Sequence, residues 1–192
     1  MNLPNLLSLL RIILTPLFII FLFSDDKLLA LIIFAVAAIT DAYDGHLARK
    51  YNQITSQGKF LDPLADKILV LSAFFSFAFI GIIDFWMVGI ITFRDMFITG
   101  LRWIISNKGF DFVTSKLSKY KTAFQLTIII LTLIFLTLES FNMDSFIPTI
   151  DLIKQYKIIY MLTLFTALFT AYTGIIYLYA NRLVIKDFIR NN

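Results

Sequence analysis

The chain contains no cysteine in its 192 residues and only one histidine, His46. Without thiols it has no disulfides, no thiolate metal ligands and no cysteine nucleophile, so any metal must rest on oxygen ligands or on that one imidazole. Charge is also scarce, with 16% charged against 59% hydrophobic residues and a mean hydropathy of +0.82. Such a chain cannot clothe the surface of an ordinary soluble domain, which excludes that class. No internal repeat or low-complexity linker divides the sequence, and residues 1–192 read as a single domain.

Apolar length is what the chain has in abundance. Stretches at 6–23, 28–48, 60–83, 85–105, 122–138 and 158–180 each come close to the ~20 residues that a ~30 Å hydrocarbon core requires. The expected fold is all-α: a polytopic membrane protein with a six-transmembrane-helix bundle and a short juxtamembrane segment at the N-terminus. The first apolar run follows MNLPN, with no charged leader and no small-residue cleavage site, so it is expected to remain in the mature protein. Most of the 17 basic residues fall at the N-terminus, in 49–67, in 102–121 and in the tail. The positive-inside rule then places both termini on the cytoplasmic side of the cell membrane. The net charge of +4 is explained by topology and contact with anionic headgroups. Nucleic-acid binding is not expected, because the basic residues are dispersed over four juxtamembrane segments and form no stripe with interleaved aromatics. Trp86 and Trp103 read as interfacial anchors near the two ends of the fourth span.

Against this apolar background stands the string DAYDGHLARKYNQITSQGKFLDPLAD at 41–66, with four carboxylates at the ends of two apolar segments. A carboxylate near hydrocarbon costs several kcal/mol unless it meets a cavity, a partner or an ion. Asp41 and Asp44 are three apart and share a helix face with Gly45 and Ala48, while Asp62 and Asp66 are four apart and share another. Two helices joined by a polar loop with Gly58 at its end therefore present two acids each to a common point. That arrangement suits two divalent cations, Mg²⁺ or Mn²⁺, bridging phosphate oxygens. Arg49 offers a planar fork of donors for phosphate. A lone acid would more simply belong to an ion pair, and the small residues to a packing stripe; four acids at these spacings favour chemistry. His46, about 100° from Gly45 around the helix, is assigned no role.

The pattern DxxDGxxARx8GxxxDxxxD, formed by Asp41, Asp44, Gly45, Ala48, Arg49, Gly58, Asp62 and Asp66, resembles the signature of the CDP-alcohol phosphotransferase family of membrane enzymes, with every position filled. The resemblance implies metal-dependent transfer of a phosphatidyl or substituted phosphoryl group from a CDP-linked donor to an alcohol, with release of CMP. It implies metal ligation by Asp41, Asp44, Asp62 and Asp66, with Asp66 also the general base. Donor binding would fall to Asn5, Asp44, Gly45, Ala48, Arg49 and Gly58; for Asn5 the alternative is a helix cap. The stretches NLPNLLSLLRIILTPLFI, RDMFITGLRWI and SKYKTAFQL are similar to the branch of the family that uses CDP-diacylglycerol as donor and sn-glycerol 3-phosphate as acceptor. A homodimer is implied as well.

The acceptor's phosphate needs cations of its own, and the candidates are Arg94, Arg102, Lys119 and Lys121, with Thr122 as a hydroxyl donor. For Arg94 an ion pair with Asp95 or with a neighbouring helix is an equal alternative. The signature does not select the acceptor, so serine, inositol phosphate and phosphatidylglycerol stay open. From a different class, the same acids could line a divalent-cation transporter. All four lie near one membrane face, however, whereas a permeation path needs polar residues through the full depth.

Overall fold

The structure is a computed structural model that describes the backbone at residues 3–51, 58–108, 116–141 and 144–190. Side chains are described there except at 3–7, 41–51, 58–64, 66, 106–107 and 116–118. The described residues are helical throughout, without strands: α1 (Leu3–Phe23), α2 (Lys27–Tyr51), α3 (Gly58–Ile80), α4 (Phe85–Asn107), α5 (Lys116–Ser140), a single 3₁₀ turn (Asp144–Phe146), α6 (Ile147–Gln155), α7 (Ile158–Ala180) and α8 (Arg182–Arg190). The all-α expectation is met. α1 starts at Leu3, so Pro4 stands in the first turn of the helix, where its missing N–H is not needed. The juxtamembrane segment expected at the N-terminus is thus continuous with the first helix.

Turn chemistry sets the helix ends. Between α1 and α2, Ser24 Oγ donates to the carbonyl of Phe21 at 2.9 Å and accepts the Asp26 N–H at 3.2 Å, holding the two helices as a tight antiparallel hairpin. α3 ends at Gly81, whose φ of +85° is readily adopted only without a side chain. There the N–H of Ile82 donates to Phe77 O at 3.0 Å and that of Gly81 to Ala78 O at 3.1 Å, a glycine-terminated Schellman arrangement. The third helix therefore stops three residues before the expected 83.

α1 packs on α2 and α3, α4 on α7, and α5 on α2 and α7. Phe18 and Phe34 meet at 5.4 Å between ring centroids, in a core continued by Phe74, Phe77, Met87, Ile91, Ile129 and Leu133. The outside is as apolar as the core: Phe79, Phe93 and Ile175 are about 70% exposed, while Arg11, Asp95 and Lys121 are almost completely buried. Charges inside and aromatics outside are the reverse of what water selects and match a hydrocarbon solvent. Several buried hydroxyls find partners within their own helices, Thr132 on Ile128 O, Thr137 on Leu133 O and Thr163 on Ile159 O, as suits a medium without water.

Among the described residues two helices, Lys119–Ser140 and Ile158–Ala180, are long and apolar enough to cross a membrane, with shorter apolar helices at Ser8–Phe23, Lys27–Thr40 and Lys67–Ile80. Two elements, α6 and α8, go beyond the six expected helices. Both are nine residues long, too short to register as spans.

Candidate functional site

The signature residues lie on two consecutive helices. Asp41, Asp44, Gly45, Ala48 and Arg49 belong to the C-terminal part of α2, and Gly58, Asp62 and Asp66 to the N-terminal part of α3. The side chains of these residues, of His46 and of Asn5 in the first turns of α1 lie outside the described residues, as does the connection 52–57. What the structure gives for the signature is its place at the ends of two consecutive helices.

Immediately after Asp66, the described side chains converge on a carboxylate that the sequence pattern did not single out as a site residue. Asp95, on α4, is fully buried. Lys121 of α5 donates to both its oxygens at 2.7 Å. Arg94 Nη1 reaches Oδ1 at 3.2 Å, Lys67 Nζ of α3 lies 3.5 Å from Oδ2, and Gln125 Nε2 approaches the same oxygen at 3.4 Å. Lys121 and Gln125 are four apart, one turn of α5, and so reach one point from one face. Three cations around one carboxylate leave two net positive charges in a buried pocket. Desolvating such charges is repaid only by close, multiple contacts, and the bifurcated lysine bond with its flanking cations supplies them.

Arg94 makes the ion pair with Asp95 that was one of its two alternatives. Among the described residues its Nε and Nη2 have no hydrogen-bond partner although both are buried, so part of a fixed fork of donors is left unused. Space for this side chain comes from α7: a Cβ added to Gly174 would lie 2.9 Å from Arg94 Cγ. Of the other acceptor candidates, Thr122 is half-buried, while Arg102 and Lys119 are exposed. Lys119 and Lys121, two residues apart, sit on nearly opposite faces of α5, and only Lys121 joins the Asp95 cluster.

Other buried polar residues, Ser8 and Arg11 of α1 and Thr170 and Thr173 of α7, belong to the N-terminal half of α1 and the C-terminal half of α7. These are the halves at the same end of the bundle as the signature, since successive helices run antiparallel. At the other end, a cavity of about 480 Å³ opens between the α3–α4 turn and α6. Several of its polar groups are matched to one another: Tyr160 donates to Asp84 Oδ2, and Lys154 pairs with Glu139. It holds none of the signature residues.

Residues 1–175 match the family described as CDP-alcohol phosphatidyltransferase. A Bacillus subtilis protein named CDP-diacylglycerol–glycerol-3-phosphate 3-phosphatidyltransferase is 37% identical over 143 residues, which cover 67% of this chain and 74% of that protein. A Rickettsia typhi protein of the same name is 37% identical over 136 residues, 68% of this chain and 76% of that protein. A Mycobacterium tuberculosis protein named probable phosphatidylglycerophosphate synthase is 40% identical over 114 residues, covering 56% of this chain and 54% of that protein.

Removing the central carboxylate alone should be worse than removing it together with its closest cation. Asp95→Asn leaves three buried cations facing one another and is expected to destabilise the protein by about 3–5 kcal/mol, read as a lower thermal midpoint in detergent. The double variant Asp95→Asn/Lys121→Met should recover part of that loss. Gly174→Ala, which presses on Arg94 Cγ and leaves the carboxylate in place, should disturb anion binding more than stability.

Proposed function

Because the chain belongs to the CDP-alcohol phosphatidyltransferase family, we propose that it transfers the phosphatidyl group of CDP-diacylglycerol to sn-glycerol 3-phosphate, giving phosphatidylglycerophosphate and CMP in phospholipid biosynthesis. The observation that carries the acceptor assignment is the buried cluster of Arg94, Lys121 and Lys67 around Asp95, whose two surplus positive charges complement a phosphate dianion. Relatives named for this reaction, over two thirds of the chain at 37% identity, agree with it.

The donor set fits hard divalent cations. Carboxylates at two joined helix ends, in a chain without cysteine and with one histidine, supply the oxygen ligands that Mg²⁺ and Mn²⁺ prefer. Asp41, Asp44, Asp62 and Asp66 would hold two such ions, and when bound these supply positive charge to the diphosphate as its bridging bond breaks. The remaining chemistry belongs to the chain. Asp66 accepts the proton of the acceptor's primary hydroxyl. That oxygen forms a bond to the phosphorus bearing diacylglycerol, the anhydride bond on the opposite side breaks, and CMP departs with the bridging oxygen. Gly45, Ala48 and Gly58 leave room for the cytidine and diphosphate, and Arg49, Asp44 and Asn5 orient them. Arg94 and Lys121 hold the acceptor phosphate, with Arg102, Lys119 and Thr122 lining its approach from the aqueous side. Asp95 offsets the repulsion among the cations of this pocket and holds them in register.

The proposal includes six spans, α1 to α5 and α7, with both termini and the site at the cytoplasmic face of a bacterial cell membrane. These helices have 21 to 25 residues each, which at 1.5 Å per residue suffices for a ~30 Å hydrocarbon core. It also includes a homodimer, on the strength of the family resemblance.

The decisive experiment is acceptor competition: purified protein in mixed micelles with CDP-diacylglycerol and glycerol 3-phosphate, serine, inositol phosphate or phosphatidylglycerol, read by the lipid product. Phosphatidylglycerophosphate should dominate; a different product would reassign the acceptor, and no CMP release with any of them would remove the transferase reading in favour of ion transport. EDTA should abolish turnover, restored by Mg²⁺ or Mn²⁺. Asp66→Asn should lose turnover while retaining part of its metal, whereas Asp62→Ala should lose both. Loss of a charge-assisted contact of roughly 1.5–3 kcal/mol in Arg94→Gln should raise the acceptor KM about ten- to a hundredfold, with donor KM nearly unchanged.

A further inference from the structure

The cavity at the end of the bundle opposite the signature has the make-up of a ligand site. Its volume of about 480 Å³ falls within the ~300–1,000 Å³ usual for small-molecule pockets. The buried part of its lining is apolar, from Phe135 and Leu136 of α5 and Ile159 of α7. Two acids and two cations complete it: Asp84, Glu139, Lys154 and Lys157. α5 ends and α7 begins here, and these are the two helices long and apolar enough to cross a membrane. The cavity therefore lies where two spans leave the hydrocarbon, a level that also suits the half-exposed Trp86 beside Asp84.

The four charges are not all matched. Lys154 pairs with Glu139. Asp84 receives neutral donors on Oδ2, the Tyr160 hydroxyl at 2.7 Å and the Trp86 indole N–H at 3.1 Å, and among the described residues no cation pairs with it. Lys157 has no acid partner among them either. One anion and one cation thus line the same cavity without pairing with each other.

Lys157 also occupies a position that favours glycine. With a φ of +49° it is the one non-glycine residue with a left-handed backbone among the described residues. It closes α6 by donating its N–H to Lys154 O at 3.1 Å and opens α7 by accepting the Met161 N–H at 3.0 Å. Glycine or asparagine is the usual occupant of such a helix end, because a β-carbon strains the backbone. Elsewhere in the same lining, the left-handed end of α3 does carry glycine, Gly81 at φ +85°. What a lysine adds at 157, against backbone preference, is its ammonium.

We propose that this cavity binds the headgroup of a zwitterionic phospholipid with a primary ammonium, the phosphatidylethanolamine class, from the leaflet at this end of the bundle. Lys157 pairs with the lipid phosphate, and Asp84 accepts the ammonium protons through Oδ1, the oxygen that Tyr160 and Trp86 leave open. Phe135, Leu136 and Ile159 meet the carbons between the two charges. An anionic lipid would satisfy Lys157 but set a negative charge against Asp84, whereas a zwitterion satisfies both. At membrane level, lipid headgroups are the zwitterions present in greatest number. The site contains none of the signature residues and needs only that α5 and α7 cross the bilayer, so it stands apart from the identity of the acceptor.

The test uses the full-length protein in detergent, titrated with phosphatidylethanolamine, phosphatidylglycerol or phosphatidylcholine, with bound lipid counted by native mass spectrometry. Lys157→Gly and Asp84→Asn run alongside, and thermal midpoints are taken without lipid. The wild type should bind phosphatidylethanolamine most tightly. Lys157→Gly relieves the left-handed backbone, so it should keep or raise the midpoint while weakening phosphatidylethanolamine binding about tenfold, the loss of one charge-assisted contact. Asp84→Asn should erase the preference for phosphatidylethanolamine over phosphatidylglycerol. Lipid bound elsewhere on the bundle is common to wild type and variants, so the differences report this cavity. Equal affinity for the three lipids, or a preference for another of them, would overturn the headgroup assignment. Unchanged binding in Lys157→Gly, or a lowered midpoint, would overturn the role given to the lysine. Water-soluble glycerophosphoethanolamine competing as well as the lipid would overturn the lipid as occupant in favour of an aqueous solute.

Discussion

A single carboxylate organises the charged interior of this bundle. Asp95 is sealed from solvent yet ties α3, α4 and α5 together through Lys67, Arg94 and Lys121. In a hydrocarbon surrounding, none of the three cations could stay inside without it, and it could not stay without them. Because the attraction is short-ranged and bidentate at Lys121, it fixes the rotation of α5 relative to α4 more tightly than apolar contact does. Side chains in hydrocarbon gain little from facing one another instead of lipid.

That constraint explains how a chain with so few charges keeps a charged cluster in its interior. The cluster retains a surplus of positive charge, and a part of Arg94 remains without a partner among the described residues. Strain is avoided by a gap in the opposite helix, where Gly174 lets Arg94 pass. Under the proposed reaction, stability and anion recognition draw on the same side chains, and weakening the ion pairs to strengthen binding, or the reverse, moves both.

Much of this was legible in the sequence. The apolar runs gave the six long helices to within a few residues, since length and hydropathy are set by bilayer thickness. The aspartate spacing singled out two consecutive helices, and the position of the four acids relative to the apolar runs placed them at one end of the bundle, the C-terminal part of α2 and the N-terminal part of α3. What could not be read was partner choice. Lys121 meets Asp95 across 26 positions, a contact fixed by helix rotation, and Lys67 looked like one more topological lysine. Gly174 and Gln125 carry no signal of their own, because a glycine or a glutamine in a span is as readily a packing residue. Helices α6 and α8 escaped the span pattern because surface elements obey amphipathicity over nine residues and not apolar length.

Lys67 directly follows Asp66 on α3. Adjacent residues on a helix are separated by a fixed turn of ~100° and a rise of ~1.5 Å, so the offset between the carboxylates of the signature and the cation cluster around Asp95 is built into covalent helix geometry and owes nothing to a loop. Under the proposed reaction, substitutions along α4 and α5 would reshape the acceptor side while the donor side stays in place, a modular route to new alcohol acceptors on one scaffold.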